Sequence, residues 1–147
     1  MPSMWRVFAI ILATYALHFA WEMGQGSLFA PISRLPYWTA TAWCARAAGW
    51  DVVIGAAAYL AAALTGRRAL WIRRRTFLPF AIYFAVGLGV TIVIERWATS
   101  VGRWQYLEPM PTIAGIGLTP LLQWVVVPAA TLIVVRWAGG AATPNLG

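Results

Sequence analysis

Apolar residues run almost unbroken through four stretches, at about residues 4–21, 43–64, 77–98 and 119–137. Segments rich in Arg, Gly and Pro separate them. Each stretch is close to the roughly 20 residues that an α-helix needs to cross the hydrocarbon of a bilayer. No period-two alternation competes with a helical reading. The pattern predicts an all-α fold, an integral membrane four-helix bundle made as a single domain over residues 1–147. In the fourth stretch Thr119 can cap the helix, and Pro120 suits a first turn where the missing N–H has no partner to lose. Pro128, inside that stretch, frees the carbonyl of Trp124. The stretch Gly24 to Thr41, broken by Pro31 and Pro36, reads as a loop. Residues 109–118 are apolar but too short to span, and read as an interfacial or re-entrant segment over one end of the bundle. The tail from Gly139 is small and polar and reads as frayed.

Composition agrees with that pattern. Hydrophobic residues make up 61% and charged residues only 10% of the 147, against about 25% charged in soluble domains. The net charge of +7 comes from eleven Arg against four acids, with no Lys, a bias suggesting a GC-rich, bacterial coding sequence. These Arg punctuate apolar runs and form no basic stripe, so no nucleic-acid partner is expected. Five of them fall in the short segment Gly66 to Arg75, which marks it as a cytoplasmic loop. Both termini then lie in the cytoplasm, in a multi-pass protein of the cell inner membrane. A competing reading makes Arg6 and the apolar run after it a secretory signal, cleaved near Gly24, Gln25 and Gly26.

Orientation gathers the rare polar side chains. Glu22 falls at the outer end of the first span, Asp51 in the outer half of the second and Glu95 near the outer end of the third, with Glu108 in the loop beyond. His18 precedes Glu22 by four residues, on the same helix face. Gln123 lies in the first turn or so of the fourth span. Ionisable groups in hydrocarbon cost about 2.5–3.5 kcal/mol each at mid-membrane on insertion scales, so they face the bundle interior and pair. Asp51 is the deepest, with Arg46, Arg96 and His18 as candidate partners. A Glu22 carboxylate within reach of His18 would orient the imidazole and raise its basicity.

Of ten Trp, Trp5, Trp21, Trp43, Trp71, Trp97 and Trp137 sit near predicted span ends, as an aromatic belt requires. Trp50, Trp104, Tyr106 and Trp124 are the aromatic candidates for lining a pocket, together with Gln123. Small residues at Gly55, Ala58, Ala62 and Gly66, and at Gly87 and Gly89, suit close helix packing. Cys44 stands alone, which excludes an internal disulfide, and one His with one Cys provides no zinc or haem ligand set. No metal or cofactor is expected.

The residues Gly102, Trp104 and Tyr106, then Pro109, Gly115 to Leu118, and Pro120 to Trp124 resemble a motif layout of the small membrane lycopene cyclases. In that family a Pro-x-Glu-Glu segment opens a helix; here Leu122 and Gln123 replace the two acids. The resemblance therefore implies an acid drawn from elsewhere, such as Glu22, Asp51 or Glu95. His18 and Glu22, with a further glutamate on another helix, resemble the arrangement in sterol isomerases of the emopamil-binding-protein family. Both resemblances imply acid chemistry on an apolar isoprenoid.

Three functions are compatible with this layout. The first is acid–base isomerisation or cyclisation of a lipid or isoprenoid, with Asp51 or Glu95 as acid, His18 held by Glu22 as base, and the aromatic group as substrate contacts. The second is a non-catalytic accessory or assembly subunit with a protein partner or a second copy. The third is proton or ion movement, for which the cytoplasmic half offers few polar residues. In each, membrane lipid surrounds the chain.

Overall fold

The computed structural model describes residues 4–30, 32–65, 71 and 77–140, with the side chains of Arg6 and of 137–140 left out. Four helices account for most of it: α1 Met4–Gln25, α2 Tyr37–Thr65, α3 Phe77–Ser100 and α4 Leu118–Gly140. All four are long and apolar enough to cross a membrane. They pack in the cyclic order α1, α2, α3, α4, each against its sequence neighbours, with α4 closing onto α1. Their outer faces are apolar: Leu12, Val53, Leu60, Leu64, Val93 and Ile133 are each more than half exposed. Such a surface suits hydrocarbon and not water. The five Arg of the expected cytoplasmic loop (67, 68, 73, 74 and 75) and the tail 141–147 lie outside the described residues.

Three sequence expectations are corrected here. Helix α2 begins at Tyr37, about six residues before the expected start, because Pro36 stands just ahead of its first turn, where its ring costs no hydrogen bond. The carbonyl of Pro36 accepts from the N–H of Ala40 at 3.0 Å. Of the two readings of residues 109–118, interfacial or re-entrant, the re-entrant one is set aside. These residues fold as a tight antiparallel hairpin, and the chain carries short strands that the apolar pattern did not announce. With β1 Phe29–Ala30 and β2 Gln105–Tyr106 paired as Phe29↔Tyr106 and Ala30↔Gln105, the loop after α1 is stitched to the loop after α3. Strands β3 Thr112–Ile113 and β4 Ile116–Gly117 form the hairpin, turned at Ala114 and Gly115. Both turn residues have positive φ, 51° and 77°, the requirement of a two-residue turn whose twist matches its strands. The two small sheets cap one end of the bundle.

The other end is closed by an aromatic plug. Trp71 was expected in a membrane belt but is 1% exposed. Its ring packs on Tyr59, Phe80 and Tyr83 at centroid distances of 5.3, 4.9 and 5.8 Å, and its indole N–H donates to the carbonyl of Tyr59. Ala58 and Ala62 are fully buried against this cluster, the close approach that small residues permit. Gly55 and Gly89 have nothing within 4 Å of a built Cβ among the described residues, so only part of the expected small-residue pattern serves packing. Gly66 lies outside the described residues.

Candidate functional site

Under the cap, polar side chains from all four helices meet. Helical rise of about 1.5 Å per residue puts His18, Glu95 and Gln123 within about two turns of the capped ends of α1, α3 and α4. Asp51 is the midpoint of α2 and reaches the same level because the early start of α2 makes that helix overhang the others.

Gln123 is the hub. It is 2% exposed, and its Nε2 donates to Asp51 Oδ2 at 2.9 Å and lies 3.1 Å from His18 Nδ1. Its Oε1 accepts from Gln25 Nε2 at 3.0 Å. Gln25 also donates to Glu22 Oε1 at 3.0 Å, and its Oε1 accepts from Trp21 Nε1 at 3.2 Å. The donors thus run in one direction, from the Trp21 indole through two amides to Asp51 and His18. An acceptor role for His18 Nδ1 fits the tautomer with its proton on Nε2. When Nδ1 carries a proton it faces Asp51 Oδ2, 3.4 Å away.

Glu95 forms the second half of the cluster. Its Oε2 accepts from the Tyr106 hydroxyl at 2.5 Å and from Trp104 Nε1 at 3.1 Å. The first of these is a short bond. Both donors come from the capping loop, and Phe29 packs edge-on against both rings at 6.3 and 5.6 Å. Burial, and then the bond to Glu95, push the Tyr106 phenol above its ordinary range, so it stays a proton-bearing donor. Gly117 makes room for it: a Cβ there would lie 2.9 Å from the Tyr106 ring. The two halves are linked electrostatically, since Glu22 is within the field of both Asp51 and Glu95.

Each residue expected at the site can now be placed. His18, Glu22, Asp51, Glu95, Gln123, Trp104 and Tyr106 are brought together. Trp124 joins them beside His18, ring centroids 5.8 Å apart, its own ring fitted against Gly87. Trp50 does not join: it is 64% exposed on the outer face of α2, because the helical turn that points Asp51 inward points its neighbour out. Arg46 and Arg96 are exposed and make no ion pair with the carboxylates among the described residues. Glu22 is not the partner of His18 either: no hydrogen bond joins them among the described residues, and Asp51 takes that place. Glu108 is exposed, away from the cluster. Among the described residues no group of three or more His, Cys, Asp and Glu could hold a metal ion.

Three participants escaped the sequence reading, among them Trp21, which was placed in the aromatic belt and instead donates to Gln25. Gln25 was read as loop and as part of a cleavage signal, but α1 runs on through it, and its spacing of three and four from Glu22 and Trp21 places it on their face. Phe29 gave no signal, since its role depends on strand pairing across two loops. Thr91, one turn before Glu95, is buried, and its hydroxyl has no hydrogen-bond partner among the described residues. Its spacing to Glu95 was legible, its burial was not.

No family model, curated protein or solved structure matches the chain.

Proposed function

We propose that the chain is a multi-pass protein of a bacterial inner membrane, with both termini in the cytoplasm, that catalyses acid–base isomerisation or cyclisation of an unsaturated lipid of isoprenoid type. The observation that carries this reading is the pairing of two chemically different halves at one end of an apolar bundle. One half is a buried acid, Glu95, held by Tyr106 and Trp104; the other is a base pair, His18 and Asp51, held by Gln123.

Because Tyr106 and Trp104 both occupy Oε2 of Glu95, a proton on Oε1 is the one to be given. Transfer to a double bond leaves a carbocation on the substrate, and the ring faces of Trp104, Tyr106 and Trp124 stabilise it. Loss of a proton from a neighbouring carbon to His18 Nε2, in the tautomer whose Nδ1–H faces Asp51, restores a double bond, shifted along the chain or joined into a ring. The nascent imidazolium is held by Asp51. Return of that proton to Glu95 completes a cycle in which the substrate gains and loses one proton, with no change of mass. The resemblances to lycopene cyclases and sterol isomerases favour the same chemistry.

The test compares lipid extracts of host cells lacking the gene with cells expressing the wild type, Asp51→Asn or Glu95→Gln. An isoprenoid whose retention time changes at constant mass in the wild type, and not in either variant, is the expected result. Normal product from both variants, with both inserted, rules the chemistry out.

A second reading has its own observation: every amide of the cluster is satisfied within the chain, as in a structural network of an accessory subunit. A stoichiometric protein partner that co-purifies with the wild type and is lost from Gln123→Leu, with lipid extracts unchanged, would favour it.

A further inference from the structure

Outside the carboxylate cluster, at the end of α3, lies a shallow depression of about 580 Å³ lined by Arg96, Trp97, Thr99, Ser100, Ala114 and Gly115. Two elements build it. Helix α3 ends in a glycine motif: Gly102 has φ +69°, the N–H of Arg103 returns to the carbonyl of Ala98 at 2.8 Å, and the N–H of Gly102 to Thr99 at 3.3 Å. This closure satisfies the last carbonyls of the helix and reverses the chain. It folds Arg103 back over the face of Trp97, guanidinium to ring centroid 5.9 Å. The tip of the β3–β4 hairpin, at Ala114 and Gly115, closes the opposite side.

Arg96 lines the depression, and Arg103 stacks on Trp97, which lines it as well. Arg96 is exposed and without an acidic partner among the described residues, and Arg103 is positioned by stacking. The hydroxyls of Thr99 and Ser100 donate to carbonyls of their own helix, at 2.8 and 2.7 Å, which leaves Arg96 as the charged group of the lining. Arg96 lies about 28 Å along α3 from Phe77 at 1.5 Å per residue, close to the 30 Å thickness of hydrocarbon, at headgroup depth. Exposed apolar side chains border it: Trp97 at 53%, Val101 at 59% and Ile113 at 58%. Arg recognises phosphate by forked hydrogen bonds, and apolar neighbours suit the glycerol and upper acyl chain of a lipid more than a free ion.

We propose that the depression between the end of α3 and the β3–β4 hairpin, lined by Arg96 and by Trp97 with Arg103 stacked on it, is a binding seat for the phosphate headgroup of an anionic phospholipid. It is separate from the carboxylate cluster and does not depend on the chemistry assigned there. The test uses the full chain in nanodiscs of equimolar phosphatidylglycerol and phosphatidylcholine, with the retained lipid identified by native mass spectrometry. Wild type and the control Arg34→Gln retain phosphatidylglycerol in preference to phosphatidylcholine by about tenfold, and the Arg96→Gln/Arg103→Gln variant falls to near parity. Arg103→Gln alone, which leaves α3 intact, carries the test if the double variant does not insert, and shows a partial loss. Parity in the wild type, or undiminished preference in the variants, overturns the seat. Inorganic phosphate that displaces the retained lipid from wild type overturns its assignment to a lipid in favour of a free anion.

Discussion

At the scale of single residues, Gln123 carries the largest share of the polar network. Replacing it with Leu removes the donor to Asp51, the contact to His18 and the acceptor of Gln25 together. Each buried polar group left unpaired costs about 1–3 kcal/mol. Gln123→Leu is therefore expected to lose at least 2 kcal/mol, roughly, in reversible unfolding in mixed detergent micelles. Wild-type stability in that assay would deny the network its structural weight. Tyr106 makes a prediction about pH. Burial and the bond to Glu95 raise its phenol above the ordinary tyrosine range, about 10, so the unfolded chain ionises first as pH rises. The stabilisation is fully present below about pH 10 and drains away above it. Thermal unfolding midpoints should fall above that pH in the wild type and fall less in Tyr106→Phe. Identical profiles would contradict the assignment. The residue types of the site were legible, since acids, a His and a Gln in apolar spans stand out by cost alone. Their partners were not: the spacing of His18 and Glu22 suggested a pair on one helix, and contact with α2 and α4 replaced it.

At the scale of elements, helix packing depends on which small residues meet a neighbour. Gly87 and Gly89 look alike in the sequence, two residues apart in α3. A Cβ at Gly87 would lie 2.2 Å from the Trp124 ring, whereas one at Gly89 meets nothing within 4 Å among the described residues. Gly87→Ala should therefore destabilise by about 1–3 kcal/mol, the usual cost of overpacking, and displace the ring that lies beside His18. Gly89→Ala should be neutral or slightly stabilising, given the better helix propensity of Ala. Equal effects in a parallel unfolding series would show that Trp124 does not sit against Gly87. The helices themselves followed from hydrophobic runs, with ends displaced by up to six residues where Pro36 allowed an earlier start. The β1–β2 pair joins residues 29–30 to 105–106, a separation at which apolar periodicity carries no information.

At the scale of the whole molecule, the bundle is polar at one end and aromatic at the other, and its placement in a membrane can be tested without knowing any substrate. In a Cys44→Ala background, a cysteine at Ser33 lies on the capped side and one at Thr65 on the opposite side. With both termini in the cytoplasm, an impermeant maleimide added to intact cells labels Ser33→Cys and leaves Thr65→Cys unlabelled until the membrane is opened. The reverse pattern would turn the topology over and place the carboxylate cluster on the cytoplasmic side. Substitution of the buried Cys44 removes only a weak bond to the carbonyl of Glu22, at 3.5 Å, so the background should insert normally.

What the sequence alone determined are four apolar helices, one polar end and the small set of residues that pay for their burial only by pairing. These follow from transfer energies that each residue carries wherever it sits. Tertiary structure alone decided which acid faces His18, that Gln25 and Gln123 relay the contact, that Trp50 points away, and that two loops distant in the chain bring Trp104 and Tyr106 onto Glu95. Those outcomes depend on helix rotation, overhang and strand register. Such quantities are set by how the surfaces of separate elements fit, and no single segment contains them.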